Sequence, residues 1–248
     1  MIITVANQKG GVSKTVTSYN LAAGLAIAGK RVLLIDLDPQ GNATTCLGID
    51  RWTLEKTIYD VLVGDLEIKD AIMSTAVSGL DIAPANIHLS GAELELAGRL
   101  RRENVLKKKL EKVADYDFII IDTPPSLGLL TVNALVAAQT ILVPVQTEYF
   151  AMEGMSNLLR VIEMCKEDML NSHLRVRFLL TMYDGRTNMS KEVVKQVREH
   201  FGKDVFEAII PRSIKLSEAP SHGLPIFIYD PESSGAAAYA DLVKEVLR

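Results

Sequence analysis

Short apolar runs recur along the chain, and most of them end at a polar or turn-forming residue. Runs with few polar interruptions are typical of parallel strands buried on both faces of a sheet. They lie at residues 2–6, 31–36, 80–83, 118–122, 140–145, 175–182 and 205–210. The helical period between them predicts helices over residues 16–28, 54–62, 127–137, 153–169, 190–201 and 234–247, and one or two helices over residues 93–113. The alternation predicts an α/β fold: one domain over residues 1–248, with a twisted, mainly parallel sheet and helices on both faces.

Composition narrows the class of protein. Of the 248 residues, 48% are hydrophobic, which is too apolar for a disordered chain. The formal net charge is −4, so any contact with nucleic acid must use a local basic patch. Cys46 and Cys165 form no metal or redox spacing, which favours a reducing compartment. Without a membrane-length apolar run or a signal peptide, we expect a cytoplasmic protein.

The stretch between the first strand and the first helix carries candidate chemistry. Its sequence is Gln8-Lys9-Gly10-Gly11-Val12-Ser13-Lys14-Thr15. In a strand–turn–helix unit, backbone N–H groups and the helix N-terminus bind phosphate, and glycines permit a close approach that a Cβ would obstruct. Lys14 can reach terminal phosphates, and the Thr15 hydroxyl can bind Mg²⁺. We therefore predict a nucleoside triphosphate site rather than a glycine-rich turn with chance lysines.

Two carboxylates follow buried strands. Asp122 closes the run at residues 118–122, a Walker B arrangement in which the carboxylate holds Mg²⁺ through a water. The prolines of the next segment, Thr123-Pro124-Pro125-Ser126, stiffen the loop that follows. Asp38 lies in the turn after the strand at residues 31–36. It either orients the water that attacks the γ-phosphate or caps the turn, and chemistry alone leaves both roles open.

The pattern K-G-G-x-x-K-[ST] at residues 9–15 resembles the deviant Walker A loop of the ParA/MinD ATPases. Residues 36–43 resemble the first switch of this family and residues 121–126 the second. Residues 210–223 resemble a signature of its small Soj-type partition ATPases. These motifs occur in family order over nearly the whole chain. The resemblance implies a P-loop NTPase fold, ATP and Mg²⁺ as ligands, and a homodimer in which Lys9 reaches the partner's nucleotide.

The resemblance also implies the residues of the site. Lys9, Lys14 and Asp38 are the expected catalytic residues, and Thr15 and, through water, Asp122 hold the metal. The expected nucleotide contacts are Lys9, Gly10, Gly11, Val12, Ser13, Lys14, Thr15, Val16 and, near the adenine, Met182 and Pro211. Ser13 departs from the family, in which many relatives have glycine. Its Cβ is expected to strain the loop or to narrow the β-phosphate cradle.

Other relatives with this loop fit the sequence less well. A membrane ATPase of MinD type needs a basic amphipathic tail with aromatic residues, whereas residues 241–248 have balanced charge and no bulky aromatic. The cysteine motifs of iron–sulfur relatives, the tyrosine cluster of autokinases and the insertions of tail-anchored-protein or metalloid ATPases are not found. No room exists before residue 8 for the N-terminal DNA-binding extension of larger partition ATPases, so we expect the small type.

Basic residues that can contact DNA lie in the second half of the chain. Lys191, Lys195 and Arg198 follow the helical period and form one stripe. The resemblance particularly favours Arg186 and Lys215, and the remaining candidate is Arg212. Phosphate contacts would make binding sequence-independent and sensitive to salt. The alternative is a solvated helix face with structural arginines, which is the expected meaning of a second basic run at residues 99–112.

Together these features predict an ATP-dependent DNA partition ATPase. ATP joins two protomers face to face, and the dimer doubles its basic patch and binds DNA without sequence preference on the nucleoid. The resemblance implies that slow hydrolysis, stimulated by a ParB-like centromere-binding partner, dissolves the dimer and releases the DNA. Two alternatives stay open: a nucleotide-gated switch without useful turnover, and a related ATPase that positions a chemoreceptor, microcompartment or flagellar component.

Overall fold

A computed structural model describes residues 1–148, 155–167 and 171–248. These residues form an eight-stranded sheet in the order β3-β4-β2-β5-β1-β6-β7-β8. Its strands are β1 (Ile2–Val5), β2 (Val32–Asp36), β3 (Met73–Ser74), β4 (Leu80–Ala83), β5 (Phe118–Asp122), β6 (Thr140–Gln146), β7 (Arg175–Tyr183) and β8 (Val205–Pro211). The short β3 pairs antiparallel with β4, and the other neighbours are parallel. The predicted α/β fold with a mainly parallel sheet is confirmed.

Helices cover both faces of the sheet. In chain order they are α1 (Lys14–Ile27), α2 (Asn42–Cys46), α3 (Ile58–Val63), α4 (Ala92–Ala97), α5 (Val105–Leu110), α6 (Leu129–Ala137), α7 (Ser156–Glu167), α8 (Asn188–Phe201), α9 (Ile214–Glu218), α10 (Ile226–Tyr229) and α11 (Ser234–Val246). Alternate residues of β2 illustrate the two-sided burial, since Leu34 packs in the core with α1 and α11. Leu33 and Ile35 pack in the opposite core with α3 to α6. Burial on both sides explains why these strands are continuous apolar runs.

The topology brings the polar ends of several strands to one edge of the sheet. β1 lies at the centre, and the chain leaves it toward β2 on one side and later returns to β6 on the other. Such a reversal of strand order creates a crevice at the carboxyl ends of parallel strands, where α/β proteins bind ligands. The pairing of β2 with β5 places Asp36 directly beside Asp122 at this edge.

The structure corrects several predicted boundaries. The helix expected over residues 54–62 begins at Ile58, because Thr57 and Asp60 form a capping box. α8 begins at Asn188 rather than Ser190, because the Thr187 side chain accepts a hydrogen bond from the Ser190 N–H. The elements α2, β3 and α10 are too short for their pattern to be recognised in the sequence.

The helix predicted over residues 153–169 lies partly outside the described residues, and its described part, Ser156–Glu167, is helical. Among the described helices, none combines the length and the hydropathy needed to cross a membrane.

Candidate active site

The loop between β1 and α1 has the backbone of an anion-binding turn. Gly11 and Ser13 both have positive φ angles, of 76° and 69°. A Cβ built on Gly10 or Gly11 would meet no atom within 4 Å, so both glycines face open space. That space is a cavity of about 330 Å³, lined by Gly10, Gly11, Ser13, Lys14, Thr15, Val16, Asp38, Asn42, Pro125 and Met182. The predicted phosphate loop and the predicted catalytic carboxylate therefore share one cavity.

Two buried polar residues that the sequence did not single out hold the loop in place. Asn7 donates a 2.7 Å hydrogen bond from Nδ2 to the carbonyl of Pro144 in β6, and its Oδ1 accepts one of 3.0 Å from the Lys9 N–H. Thr181 in β7 donates a 3.2 Å bond from Oγ1 to the Val12 carbonyl. The loop is thus tied to two neighbouring strands. A polar residue directly after an apolar strand was the available signal for Asn7.

Lys14 is the buried cation of the site. It is 7% exposed, and its Nζ donates a 3.1 Å hydrogen bond to the Lys9 carbonyl within the loop. Burial lowers the pKa of Lys14, while the nearby carboxylates of Asp122 and Asp38 oppose this shift. A phosphate oxygen in the cavity would be a charged acceptor and hence a stronger partner than a carbonyl.

Asp122 and Asp36 form a buried pair of carboxyl groups beside Lys14. Asp122 accepts hydrogen bonds from Thr15 Oγ1 at 2.8 Å and from Ser18 Oγ at 2.7 Å. Asp36 accepts from the Thr44 N–H and hydroxyl, at 2.9 and 2.8 Å. Burial raises the pKa of both carboxyl groups, and their mutual repulsion raises that of Asp122 further. The arrangement places the Asp122 carboxyl group in contact with Thr15, which lines the cavity.

The oxygen donors of Thr15 and Asp122 fit Mg²⁺ better than a metal ion held by protein ligands alone. Among the described residues, no group of three or more His, Cys, Asp or Glu side chains could hold an ion. Mg²⁺ keeps several waters and commonly binds through one or two protein oxygens together with phosphate oxygens. The Thr15 hydroxyl and the Asp122 carboxylate, already in contact, supply oxygen donors of that kind. Ser18 supports Asp122 from the other side, and no motif in the sequence pointed to it.

Of the two roles that the sequence left open for Asp38, the structure shows the capping of the turn. It is 6% exposed, and its Oδ1 accepts a 2.9 Å hydrogen bond from the Gln40 N–H, so it does cap the turn. Its own N–H donates to Asp36 at 3.1 Å. Asp38 also lines the phosphate-loop cavity, and in the described part of the chain its Oδ2 receives no hydrogen bond. Capping therefore occupies one oxygen and leaves the other for a ligand or a water.

A second cavity adjoins the first along the ends of β7 and β8. It measures about 360 Å³ and shares Ser13, Val16 and Met182 with the phosphate-loop cavity. Met182 has a positive φ of 53°, and its carbonyl accepts a 3.3 Å bond from Thr147 Oγ1. Pro211 lies on the same wall. The two residues expected near the adenine therefore line one groove that continues from the phosphate loop, and their role as base contacts stays a prediction.

The six cations predicted to contact DNA lie on the β7–β8 side of the sheet. Lys191, Lys195 and Arg198 are exposed along α8, and Arg186 and Lys215 follow β7 and β8. Arg212 is exposed but lines the cavity beside Pro211, so its position suits the nucleotide groove as well as DNA.

The basic run at residues 99–112 lies in the other half of the molecule, where several of its cations contact the protein itself. Arg99 donates to the carbonyls of Leu62 and Val63, and Lys109 to that of Leu66 at 2.9 Å. Lys112 pairs with Glu67 at 2.7 Å. These contacts match the solvated structural face that the sequence favoured.

Ser13→Gly is expected to stabilise the fold. Ser13 sits in the left-handed region, and its side chain makes no capping hydrogen bond to α1. Because a Cβ is strained in that conformation, glycine should raise the free energy of unfolding by about 1 kcal/mol, measured by denaturant titration. Arg101→Gly, at another positive φ far from the loop, is the matched control and should give a similar gain. A gain for Arg101→Gly alone would contradict strain at Ser13. Unchanged ATP affinity and turnover in Ser13→Gly would show that the serine does not narrow the cradle.

The chain is similar to known proteins over nearly its whole length. A family model described as an AAA domain matches residues 1–176. The chain is 53% identical to the sporulation initiation inhibitor protein Soj of Bacillus subtilis, covering 99% of this chain and 97% of that protein. It is 48% identical to the chromosome partitioning protein ParA of Caulobacter vibrioides, covering 99% and 93%. A Mycobacterium smegmatis structure described as cobyrinic acid a,c-diamide synthase with ATP analog and magnesium is 40% identical, with a TM-score of 0.88 over 100% and 94%.

Proposed function

Because this chain belongs to the AAA-domain family and, within it, to the Soj/ParA group of chromosome-partitioning ATPases, we propose that it is a DNA partition ATPase that cycles between an ATP-bound dimer and free protomers. The observation that carries the proposal is the single cavity that joins the two-lysine loop to Asp38, beside the buried pair Asp36 and Asp122. A triphosphate in that cavity would meet the Lys14 side chain and the Thr15 hydroxyl, which contacts Asp122.

Different residues of the chain act on the phosphates, the base, the metal ion and the attacking water. The loop from Lys9 to Val16 contacts the phosphates, and Met182 and Pro211 contact the base. Thr15 and, through water, Asp122 would hold Mg²⁺, which would neutralise charge on the phosphates. Lys14 stabilises the charge of the transferred group from within the protomer. Asp38 orients the attacking water with the oxygen that the turn leaves free.

Lys9 is suited to act on a second protomer. It is exposed, and its hydrogen bonds in the described structure come from its backbone N–H and carbonyl, not from its side chain. In a face-to-face dimer its ammonium would reach the partner's phosphates and act as an arginine finger does in other NTPases. Assembly and hydrolysis would then depend on the same contact, so that hydrolysis dissolves the dimer.

DNA binding follows from the doubled basic surface. Arg186, Lys191, Lys195, Arg198, Arg212 and Lys215 are all exposed, and a dimer presents two copies of the set. Two weak sites joined in one particle bind a long polyanion with avidity. The contacts are to phosphates, so the bound dimer associates with the nucleoid without sequence preference. Stimulation of hydrolysis by a ParB-like partner would release it.

The double variant Arg186→Glu/Lys215→Glu is expected to lose DNA binding. Four added negative charges and four lost positive ones in the dimer should lower the affinity by at least about 10²-fold at low salt, measured by fluorescence anisotropy with ATP and Mg²⁺. The matched control is Lys107→Glu/Lys108→Glu on the exposed side of α5, in the other half of the molecule. Wild-type affinity in Arg186→Glu/Lys215→Glu, or equal losses in both variants, would contradict this assignment.

One observation favours a second candidate function, that of a nucleotide-gated switch without useful turnover. The strained φ of Ser13 can slow turnover and leave a protein whose output is partner binding alone. Phosphate release measured with DNA and a ParB-like partner separates the two functions, because only the ATPase is stimulated. A synthase function, as named for the mycobacterial structure, is less favoured. The chain is 40% identical to that protein and 53% identical to Soj.

A further inference from the structure

Arg186, one of the two cations that family resemblance favours for DNA, is already bound to an acid of its own loop. Its Nε and Nη2 donate to the two carboxylate oxygens of Asp184 at 2.9 and 2.6 Å, a bidentate pair. Asp184 Oδ1 also accepts a 3.1 Å bond from the Arg186 N–H. These hydrogen bonds hold the pKa of Asp184 at about 2. The Arg186 side chain is 89% exposed, so the pair lies where a phosphate could reach it.

Lys215, the other favoured cation, is held in the same way. Its Nζ lies 3.0 Å from Glu218 Oε2, one helical turn further along α9. The same oxygen accepts a 3.0 Å hydrogen bond from the Tyr229 hydroxyl, and the ring of His222 stacks on Tyr229. The bonds from Lys215 and Tyr229 lower the pKa of Glu218. Glu218 is therefore held in place by Tyr229 as well as by Lys215.

The two pairs belong to one surface. The Arg212 N–H donates a 2.9 Å bond to the Tyr183 carbonyl, which joins the loop of Asp184 to the segment that leads into α9. On the neighbouring α8, Lys195 lies 4.0 Å from Glu199, and Arg198 lies 3.4 Å from Glu207. Among the described residues, four of the six proposed DNA cations are thus paired with an acid. The surface is rich in basic residues, but the paired acids offset much of their positive charge.

We propose that Asp184 and Glu218 are built-in competitors of DNA: they occupy Arg186 and Lys215 in ion pairs that a DNA phosphate must displace. The inference rests on the proposed DNA-binding function and deepens it. Exposed ion pairs contribute little to stability, so a phosphate can replace the carboxylate at small cost. The freed carboxylate stays near the phosphate and opposes it across a distance shorter than the Debye length. The acids thereby keep one protomer's contacts weak and make binding depend on the doubled surface of the dimer.

The test is the double variant Asp184→Asn/Glu218→Gln. The introduced asparagine keeps an oxygen for the Arg186 N–H, and the introduced glutamine keeps one for the Tyr229 hydroxyl, so the local structure is preserved. Each removed charge should change the affinity about twofold at these distances in 0.1 M salt, and the dimer carries four such changes. We therefore expect roughly tenfold tighter binding of a duplex of arbitrary sequence, measured by anisotropy with a non-hydrolysable ATP analogue, and a steeper dependence on salt.

The matched control is Glu67→Gln/Glu103→Gln. Both glutamates are ion-paired, with Lys112 and Arg102, and their helical elements pack on the other half of the sheet. The control changes net charge by the same amount and should leave DNA affinity within about twofold of wild type. Equal tightening in both double variants, or no tightening in Asp184→Asn/Glu218→Gln while wild type binds, overturns the inference. If wild type itself does not bind DNA at low salt with the analogue, the proposed function fails, and this inference fails with it.

Discussion

Asp38→Asn is expected to slow ATP hydrolysis by about 10²- to 10³-fold while the ATP-bound dimer persists. The variant keeps the Oδ1 acceptor that caps the turn through the Gln40 N–H, at 2.9 Å in the wild type. It loses the negative charge of a carboxylate that lines the cavity and that we propose orients the attacking water. Phosphate release at saturating ATP measures the rate, and sedimentation with ATP and Mg²⁺ measures the dimer.

Asp50→Asn is the matched control for this substitution. Asp50 caps a nearby turn in the same way, with its Oδ1 accepting a 3.0 Å bond from the Trp52 N–H, but it does not line the cavity. We expect its turnover to stay within about twofold of wild type, because only the charge on a surface turn changes. Full activity in Asp38→Asn would leave Asp38 with the capping role alone.

Lys9→Ala is expected to abolish both turnover and nucleotide-dependent pairing. A cation supplied in trans to the transferred phosphoryl group is worth about 10³- to 10⁵-fold in rate, so we expect a loss of at least about 10³-fold in kcat. The loop should survive the change, because Lys9 contacts Asn7 and Lys14 through its backbone. ATP binding by the separate protomer should therefore remain, which equilibrium binding of a fluorescent ATP analogue can check.

Lys107→Ala, on the exposed side of α5, is the control for loss of one surface lysine. It should pair and turn over as wild type does. Asp38→Asn and Lys9→Ala together separate chemistry from assembly, since the first is expected to stop hydrolysis within a stable dimer and the second to prevent the dimer. A Lys9→Ala protein that hydrolyses ATP at the wild-type rate would contradict action in trans.

The longer strands and the phosphate loop were predictable because their signals are local. A run such as Phe118–Asp122 is apolar up to its final acid and is followed by turn-forming residues, and the observed β5 has the predicted bounds. The glycines and lysines of residues 9–15 likewise specify a turn by their own chemistry. Short elements such as α2 were missed because five residues do not display a helical period.

The supporting structure of the site was not predictable, because it depends on pairing across the fold. Asn7 and Thr181 meet the loop only after β1, β6 and β7 have aligned. The position of Asp36 beside Asp122 follows from the register of β2 against β5, which a single sequence does not reveal. A left-handed conformation at Ser13 is also invisible to periodicity, although the family's usual glycine at that position was a hint.

Cations are easy to find in a sequence, but their partners are not. The spacing of Lys191, Lys195 and Arg198 predicted an exposed stripe on α8, and the structure shows all three residues exposed. The bidentate contact between Arg186 and Asp184 depends on the turn that joins β7 to α8. Counting basic residues therefore overstates how much positive charge the surface offers to DNA.

Sedimentation velocity tests the central claim most directly, namely that ATP joins two protomers through Lys9. Wild type and Lys9→Ala are each compared with Mg²⁺ and either ADP or a non-hydrolysable ATP analogue at saturating concentration. We predict that wild type sediments as a dimer with the analogue and as a monomer with ADP, and that Lys9→Ala stays monomeric with both. A monomeric wild type at saturating analogue, or an undiminished dimer in Lys9→Ala, would contradict the claim.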